Sequence, residues 1–332
     1  MFDQKKRIGI EYMNEVLETT QHVTERSKHV TINEQALADF SKKLIKHRIE
    51  IPRWNYDYHF FDGGHKTVAY FLILDSINFC FWPKPGADKW EVQYKSETLS
   101  GYYALAASLK KAIESGIPIT DAHYLAELSL GTLRQILGAN GELQLIEARA
   151  HILNELGAFL IAKYNGEVNR LVEAAEKSAL KLVGLLVENL PSFRDVAEYY
   201  GKTIYFYKRA QIFAADLYGA FAGKDWGNFK DMDKLTAFAD YKLPQVLRHV
   251  GIMQYSPSLE HTVDNGILLE AGSPGEIEIR ANTIWAVELI RQEITRMGKK
   301  LNAFEIDWIL WNLGQQREFK AKPYHRTVTT FY

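Results

Sequence analysis

The chain has 332 residues, 47% hydrophobic and 24% charged, with a formal net charge of −1 at pH 7. That length suits one large domain or two fused lobes, and the composition is ordinary for a globular protein. The balanced charge lacks the basic excess that marks a duplex nucleic-acid binder, and the single cysteine, Cys80, excludes an internal disulfide framework and a thiolate zinc cluster.

The N-terminal "MFDQKKRIGIEYMNEV" has charges and no apolar segment of a secretory signal, and its periodicity predicts a first helix over 7–21. "TINEQALADFSKKLIKH" reads as a second helix, with Thr31 or Asn33 as cap and Glu34 in its first turn. "PRWNYDYHFFDGGH" is a loop broken by Pro52, Gly63 and Gly64. The following "KTVAYFLILDSINFCFW" is helical by length, too short to span a bilayer, and carries Asp75 and Asn78. A reducing, cytoplasmic setting without membrane attachment fits these features. "KWEVQYK" alternates like a short strand. Helices are then expected over 100–116, 120–138, 142–166 and 167–191, the last two the most clearly amphipathic. "GKDWGNFKDM" reads as a surface loop, 273–295 and 302–314 as the closing helices, and "REFKAKPYHRTVTTFY" as an extended tail. The reading is mainly α with a few short β-strands, one compact domain over 1–332, with a possible division into lobes near 1–200 and 201–332.

Phosphate-loop, dinucleotide-fold, zinc-protease and nucleophile-elbow motifs are all missing from the sequence. His59 and His65 are too loosely spaced for a metal pair, so neither metal nor other cofactor is expected. Two carboxylates stand out. Asp307 lies in "FEIDWILWNL", a helix apolar nearly all round, where an unpaired aspartate costs several kcal/mol. It is either paired with an arginine from another helix or kept in an apolar site to act on a forming cation. Asp240, in "LTAFADYKLPQVLRHVG", is either the cap of a helix starting near Pro244 or a functional group. Asp75 is a further acid in apolar company, read as a structural pairing. Lys208 and Arg209, in "YFYKRAQ", and Arg326, in "PYHRT", have a solvated reading beside a functional one. Aromatic residues make up 13% of the chain, more than a core requires, which suits a pocket for a flat ring.

Taken together and in order, "LDSINFCFW", "GYYALAASL", "FYKRAQIFAADLYGAF", "LTAFADYKLPQVLRHVG", "IDWILWNLG" and "YHRTVTTFY" resemble the queuosine salvage family, from about residue 50 to the C-terminus. The resemblance implies a fold similar to the helix-hairpin-helix DNA glycosylases. It implies hydrolysis of the N-glycosidic bond of queuosine 5′-monophosphate, which releases queuine for tRNA modification. It also implies Asp307 as catalytic carboxylate, with base-binding positions at Phe238, Asp240, Trp308 and Asn312 and another binding position at His59. The family pattern has Tyr and Asp where Trp308 and Asn312 stand here. The first change keeps a ring but moves its polar handle; the second removes a charge. Lys208 and Arg326 are the candidates for the 5′-phosphate. The expected partners are this nucleotide and queuine, with no stable nucleic-acid complex. The rival readings are a DNA or RNA base glycosylase and a non-catalytic helical binding scaffold.

Overall fold

The structure, a computed structural model, describes residues 15–47, 50–84, 86–138 and 140–332. Helices dominate, as the periodicity predicts, and the strands form only antiparallel pairs: Val30–Ile32 with Met253–Tyr255, Glu91–Tyr94 with Glu97–Ser100, and Val196–Tyr199 with Lys202–Tyr205. The expected first helix is present over 15–24, and its earlier part lies outside the described residues. Asn33 caps the second, Glu34–Lys46, by accepting from the Ala36 N–H at 3.0 Å, while Thr31 belongs to the strand before it. The apolar run after the aromatic loop is helical over His65–Ser76 and buried on every side from Thr67 onward.

Two helices expected to be continuous are broken. The 120–138 stretch forms Ala122–Ala126 and Leu130–Ile136, because Ser129 starts a new helix by accepting from the Thr132 N–H at 3.0 Å. The 167–191 stretch forms Val168–Ala174 and Ala179–Asn189. Between them Glu176 and Lys177 take left-handed φ values of 54° and 63°. Ser178 caps the second piece, and Asp231, far along the chain, accepts from both the Ser178 hydroxyl and the Ala179 N–H at 2.6 Å. A remote carboxylate that satisfies the orphan donors of a new helix start outweighs local periodicity.

The buried apolar side chains form two clusters. The helix Ala303–Leu313 lies on the seam, with Phe304 in one cluster and Ile306, Ile309 and Leu310 in the other. Asp307 therefore emerges where the two cores meet. Arg280, on the long helix Pro274–Arg296, ties this region together. Its guanidinium binds both Asp195 oxygens, at 2.9 and 2.6 Å, and its Nε donates to the Ala239 carbonyl at 3.1 Å. Asp195 in turn accepts from the Lys208 N–H at 3.2 Å, at the start of the helix Lys208–Ala220. One buried cation thus fixes the segment before Asp240 and the helix start that carries Lys208. Among the described residues no helix is long and apolar enough to cross a membrane.

Removing Asp195 leaves Arg280 charged and buried with one partner gone. Asp195→Ala is expected to destabilise the protein by about 3–5 kcal/mol, read as a lower denaturant midpoint; a loss under about 1 kcal/mol contradicts this role.

Candidate active site

A cavity of about 480 Å³ opens between the aromatic loop 52–59, the segment 78–83, the helices Lys208–Ala220 and Ala303–Leu313, and the C-terminal tail. All eight site residues singled out from the sequence line it: His59, Lys208, Phe238, Asp240, Asp307, Trp308, Asn312 and Arg326. They come from distant parts of the chain, and the interactions that bring each one there can be followed.

Asp307 is 3% exposed and forms no salt bridge among the described residues, so the arginine-pair reading fails. Its Oδ2 accepts from the Phe238 N–H at 2.7 Å, the one hydrogen bond of its carboxyl among the described residues. Burial pushes its pKa well above the carboxylate range, and Asp240 and Asp216 add to the rise against the Phe238 hydrogen bond and Lys208. Asp240 fulfils both of its readings. Oδ1 caps the helix Lys242–His249 by accepting from the Lys242 and Leu243 N–H groups, at 2.7 and 3.1 Å, and the residue lines the cavity.

The solvated reading of Lys208 and Arg209 is overturned. Arg209 is buried and donates to the carbonyls of Ser76 and Ser192, a purely internal role. Lys208, 4% exposed, donates to the Asn78 carbonyl at 3.1 Å. Burial lowers its pKa, while Asp240, Asp75 and Asp307 oppose that shift. Lys208 is thus the ammonium at the centre of an acidic floor.

The walls are aromatic. Trp54 packs on His59 at 4.9 Å and faces Trp308 edge-on at 6.2 Å, and Phe304 meets Trp308 at 5.1 Å. Gly219 makes room for this wall: a Cβ there would stand 2.5 Å from Trp54 and 3.1 Å from Trp308. Asn312 turns its amide back onto the Trp308 carbonyl at 2.8 Å. At the rim, Arg326 lies 5.9 Å from the Trp82 ring, and Lys89, Lys242 and Lys320 share the lining. Burial and the neighbouring cations Lys320 and Lys89 push Lys242 down to about 8, with Asp240 pulling the other way.

Sequence reasoning missed Trp54, Tyr102, Asp216, Lys242 and Lys320 in this lining. Asp216 carries the signal that exposed Asp307, an acid inside the apolar run "IFAADLYGAF". Trp54 has a buried indole N–H with no acceptor among the described residues.

A cavity with aromatic walls, an acidic floor and a cationic rim defines a protein that takes up a small, ring-bearing molecule. Residues 58–332 match the family described as queuosine salvage protein, and the chain belongs to that family. It is 44% identical over 332 residues, the whole of both chains, to a protein of Sphaerobacter thermophilus named queuosine 5′-phosphate N-glycosylase/hydrolase. Proteins of the same name from Dictyostelium discoideum and Bos taurus are 38% and 36% identical, each match covering at least 95% of this chain and 98% of the relative.

A carboxyl whose folded pKa is raised contributes stability below its ordinary value of 3.8, and that contribution is lost as pH rises toward the folded value. Asparagine at 307 keeps the acceptor for the Phe238 N–H and never ionises. Asp307→Asn is therefore expected to melt higher than the parent protein at pH 8, with the gap narrowing toward pH 5. Equal melting across that range contradicts the burial argument.

Proposed function

We propose that the protein hydrolyses the N-glycosidic bond of queuosine 5′-monophosphate, releasing queuine and ribose 5-phosphate. The observation that carries the reading is Asp307: a carboxyl in an apolar seam, held by a single backbone N–H and facing a ring-sized cavity. Family membership and the names of the full-length relatives support the substrate. The proposed fold likeness to helix-hairpin-helix DNA glycosylases belongs to the same reading.

As the C1′–N bond lengthens, its electron pair leaves with the base and the sugar gains oxocarbenium character. A carboxylate beneath the ring stabilises that charge most strongly where water is excluded. Ionised as the substrate's cation enters the floor, Asp307 orients the attacking water and takes its proton as oxygen bonds to C1′. The base is a 7-deazaguanine, with carbon in place of N7, so protonation there is closed and stabilisation at the sugar matters more. Phe238 and Trp308 flank the base, and His59 completes the wall. The second oxygen of Asp240 pairs with the secondary ammonium of queuine or with the donor edge of the ring. Asn312 supplies a neutral contact.

For the 5′-phosphate, Arg326 at the rim is supported by its lysine neighbours. Lys208 is closer in charge environment to the acids of the floor than to the rim, which supports a role in holding those acids beside any contact with phosphate. We place the reaction in the cytoplasm, on a free nucleotide and without a stable nucleic-acid complex.

Asp307→Asn is expected to lower turnover by about 10²–10³-fold or more, measured as queuine released; turnover within tenfold of the parent protein sinks the assignment. Arg326→Ala is expected to raise KM for the nucleotide about tenfold or more and leave the dephosphorylated nucleoside little changed, whereas Lys208→Ala weakens both. Equal losses for nucleotide and nucleoside remove Arg326 from the phosphate site.

A further inference from the structure

Behind the cavity wall runs a chain of hydrogen bonds whose hydrogens can be counted. His59 Nδ1 meets the Asn55 carbonyl at 2.6 Å, and its Nε2 meets the Tyr102 hydroxyl at 2.9 Å. The same hydroxyl meets Asp216 Oδ2 at 3.1 Å. Beyond Asp216 stands Asp75, wholly buried and close enough to Asp216 for each to shift the other's titration. His59, Tyr102 and Asp216 all line the cavity.

A carbonyl only accepts, so Nδ1 carries a hydrogen. Two links then remain, His59 to Tyr102 and Tyr102 to Asp216, and the tyrosine has one hydrogen for both. If it donates to Nε2, His59 is neutral and the Asp216 link needs an acid hydrogen on Asp216. If it donates to an ionised Asp216, Nε2 needs a hydrogen of its own and His59 is an imidazolium. An ionised Asp216 beside a neutral His59 leaves one link with no hydrogen. A charge pair buried among Trp54, Phe71 and Tyr70 is the costlier of the two complete states.

Resting on the hydrolase reading above, we propose that His59–Tyr102–Asp216 is a one-proton positioning device: Asp216 holds an acid hydrogen, which lets Tyr102 donate to a neutral His59 and fixes the imidazole in the wall of the substrate cavity. Loss of that hydrogen breaks the chain and loosens the wall. Asp216 and Tyr102 are positioning residues in this scheme, and no bond to substrate is assigned to them.

The surroundings push in the same direction. Burial drives Asp216 up to about 7, opposed by Tyr102, Lys208 and Asp75. Asp307, on the facing helix, and Tyr70 also feel its charge. Asp75 is raised well above the carboxylate range by burial and by Asp216, against Lys208, Arg209 and Asn78. Burial holds His59 down to about 4, the Asn55 carbonyl opposing and Lys110 assisting. The acid of the chain therefore keeps its hydrogen up to near neutrality, and the imidazole does not compete for it.

The test is the pH profile of kcat/KM for queuosine 5′-monophosphate, with kcat and KM separated. The parent protein is expected to lose about tenfold per pH unit above roughly pH 7, through KM, as one proton leaves. Asp216→Ala leaves one link without a hydrogen and is expected to fall tenfold or more at pH 6.5. Asp216→Asn supplies a permanent donor to Tyr102; it is expected to recover most of that loss and to lack the alkaline limb. The proposal is overturned if Asp216→Asn is no better than Asp216→Ala, or if it keeps the limb. Nitrogen NMR of ¹⁵N-histidine-labelled protein reads the chain without turnover, with His59 expected neutral and protonated at Nδ1 at pH 6.5; an Nε2–H tautomer or an imidazolium overturns the proposal. Complete absence of hydrolysis in the parent protein defeats the hydrolase reading instead, and the NMR result then stands on its own.

Discussion

The account depends on an imbalance of buried charge. Asp307, Asp240 and Asp216 line one cavity with the ammonium of Lys208, and Asp75 stands directly behind Asp216. In a site of low dielectric, one ammonium does not hold four carboxylates ionised, and the acids that lose the competition keep their protons. All four are shifted upward first by burial; neighbouring acids add to the rise of Asp75 and Asp307, and Lys208 opposes it in every case. The floor of the cavity, as distinct from its rim, is thus short of positive charge. A ligand that brings a cation, or a reaction that creates one at C1′, supplies what is missing. This links ground-state recognition of an ammonium-bearing base to stabilisation of an oxocarbenium-like sugar.

Such a site costs stability, and the scaffold around it is correspondingly over-determined. Arg280 fixes the Ala239 carbonyl and, through Asp195, the start of the Lys208 helix. The residue before that helix, Tyr207, takes a left-handed φ of 50°, a conformation that persists only where neighbouring bonds enforce it. The extended tail is pinned by the Lys242–His249 helix, since Gln245 and Arg248 donate to the carbonyls of Lys322 and Pro323. A bond from the Cys80 N–H to the Tyr332 carbonyl at 2.9 Å closes the other end. The backbone that carries Tyr324 and Arg326 is thereby fixed at the cavity rim.

Much of this was legible in the sequence where the signal is local. Helical periodicity located the elements, and an acid inside an apolar helix exposed Asp307. What the sequence concealed is set by distant partners. The break at Ser178 depends on Asp231, and the burial of Lys208 depends on the helix His65–Ser76 and the segment after it, which cover what looks like a solvated lysine–arginine pair. Asp240 looked like a choice between cap and function and is a cap with a second oxygen to spare. Asp216 was open to the argument that found Asp307, but its meaning lies in its contacts with Tyr102 and Asp75, which no spacing along the chain discloses. The Trp54 wall was hidden for a similar reason: only the missing Cβ of Gly219 lets the ring approach.

The charge imbalance is tested most directly by calorimetry of queuine binding at pH 7 in two buffers with different heats of ionisation. Because the product carries an ammonium and undergoes no reaction, the buffer-dependent heat counts protons exchanged by the protein on binding. The account predicts net proton release, as acids of the floor ionise against the incoming cation. Binding with no exchange of protons, or with uptake, would contradict it.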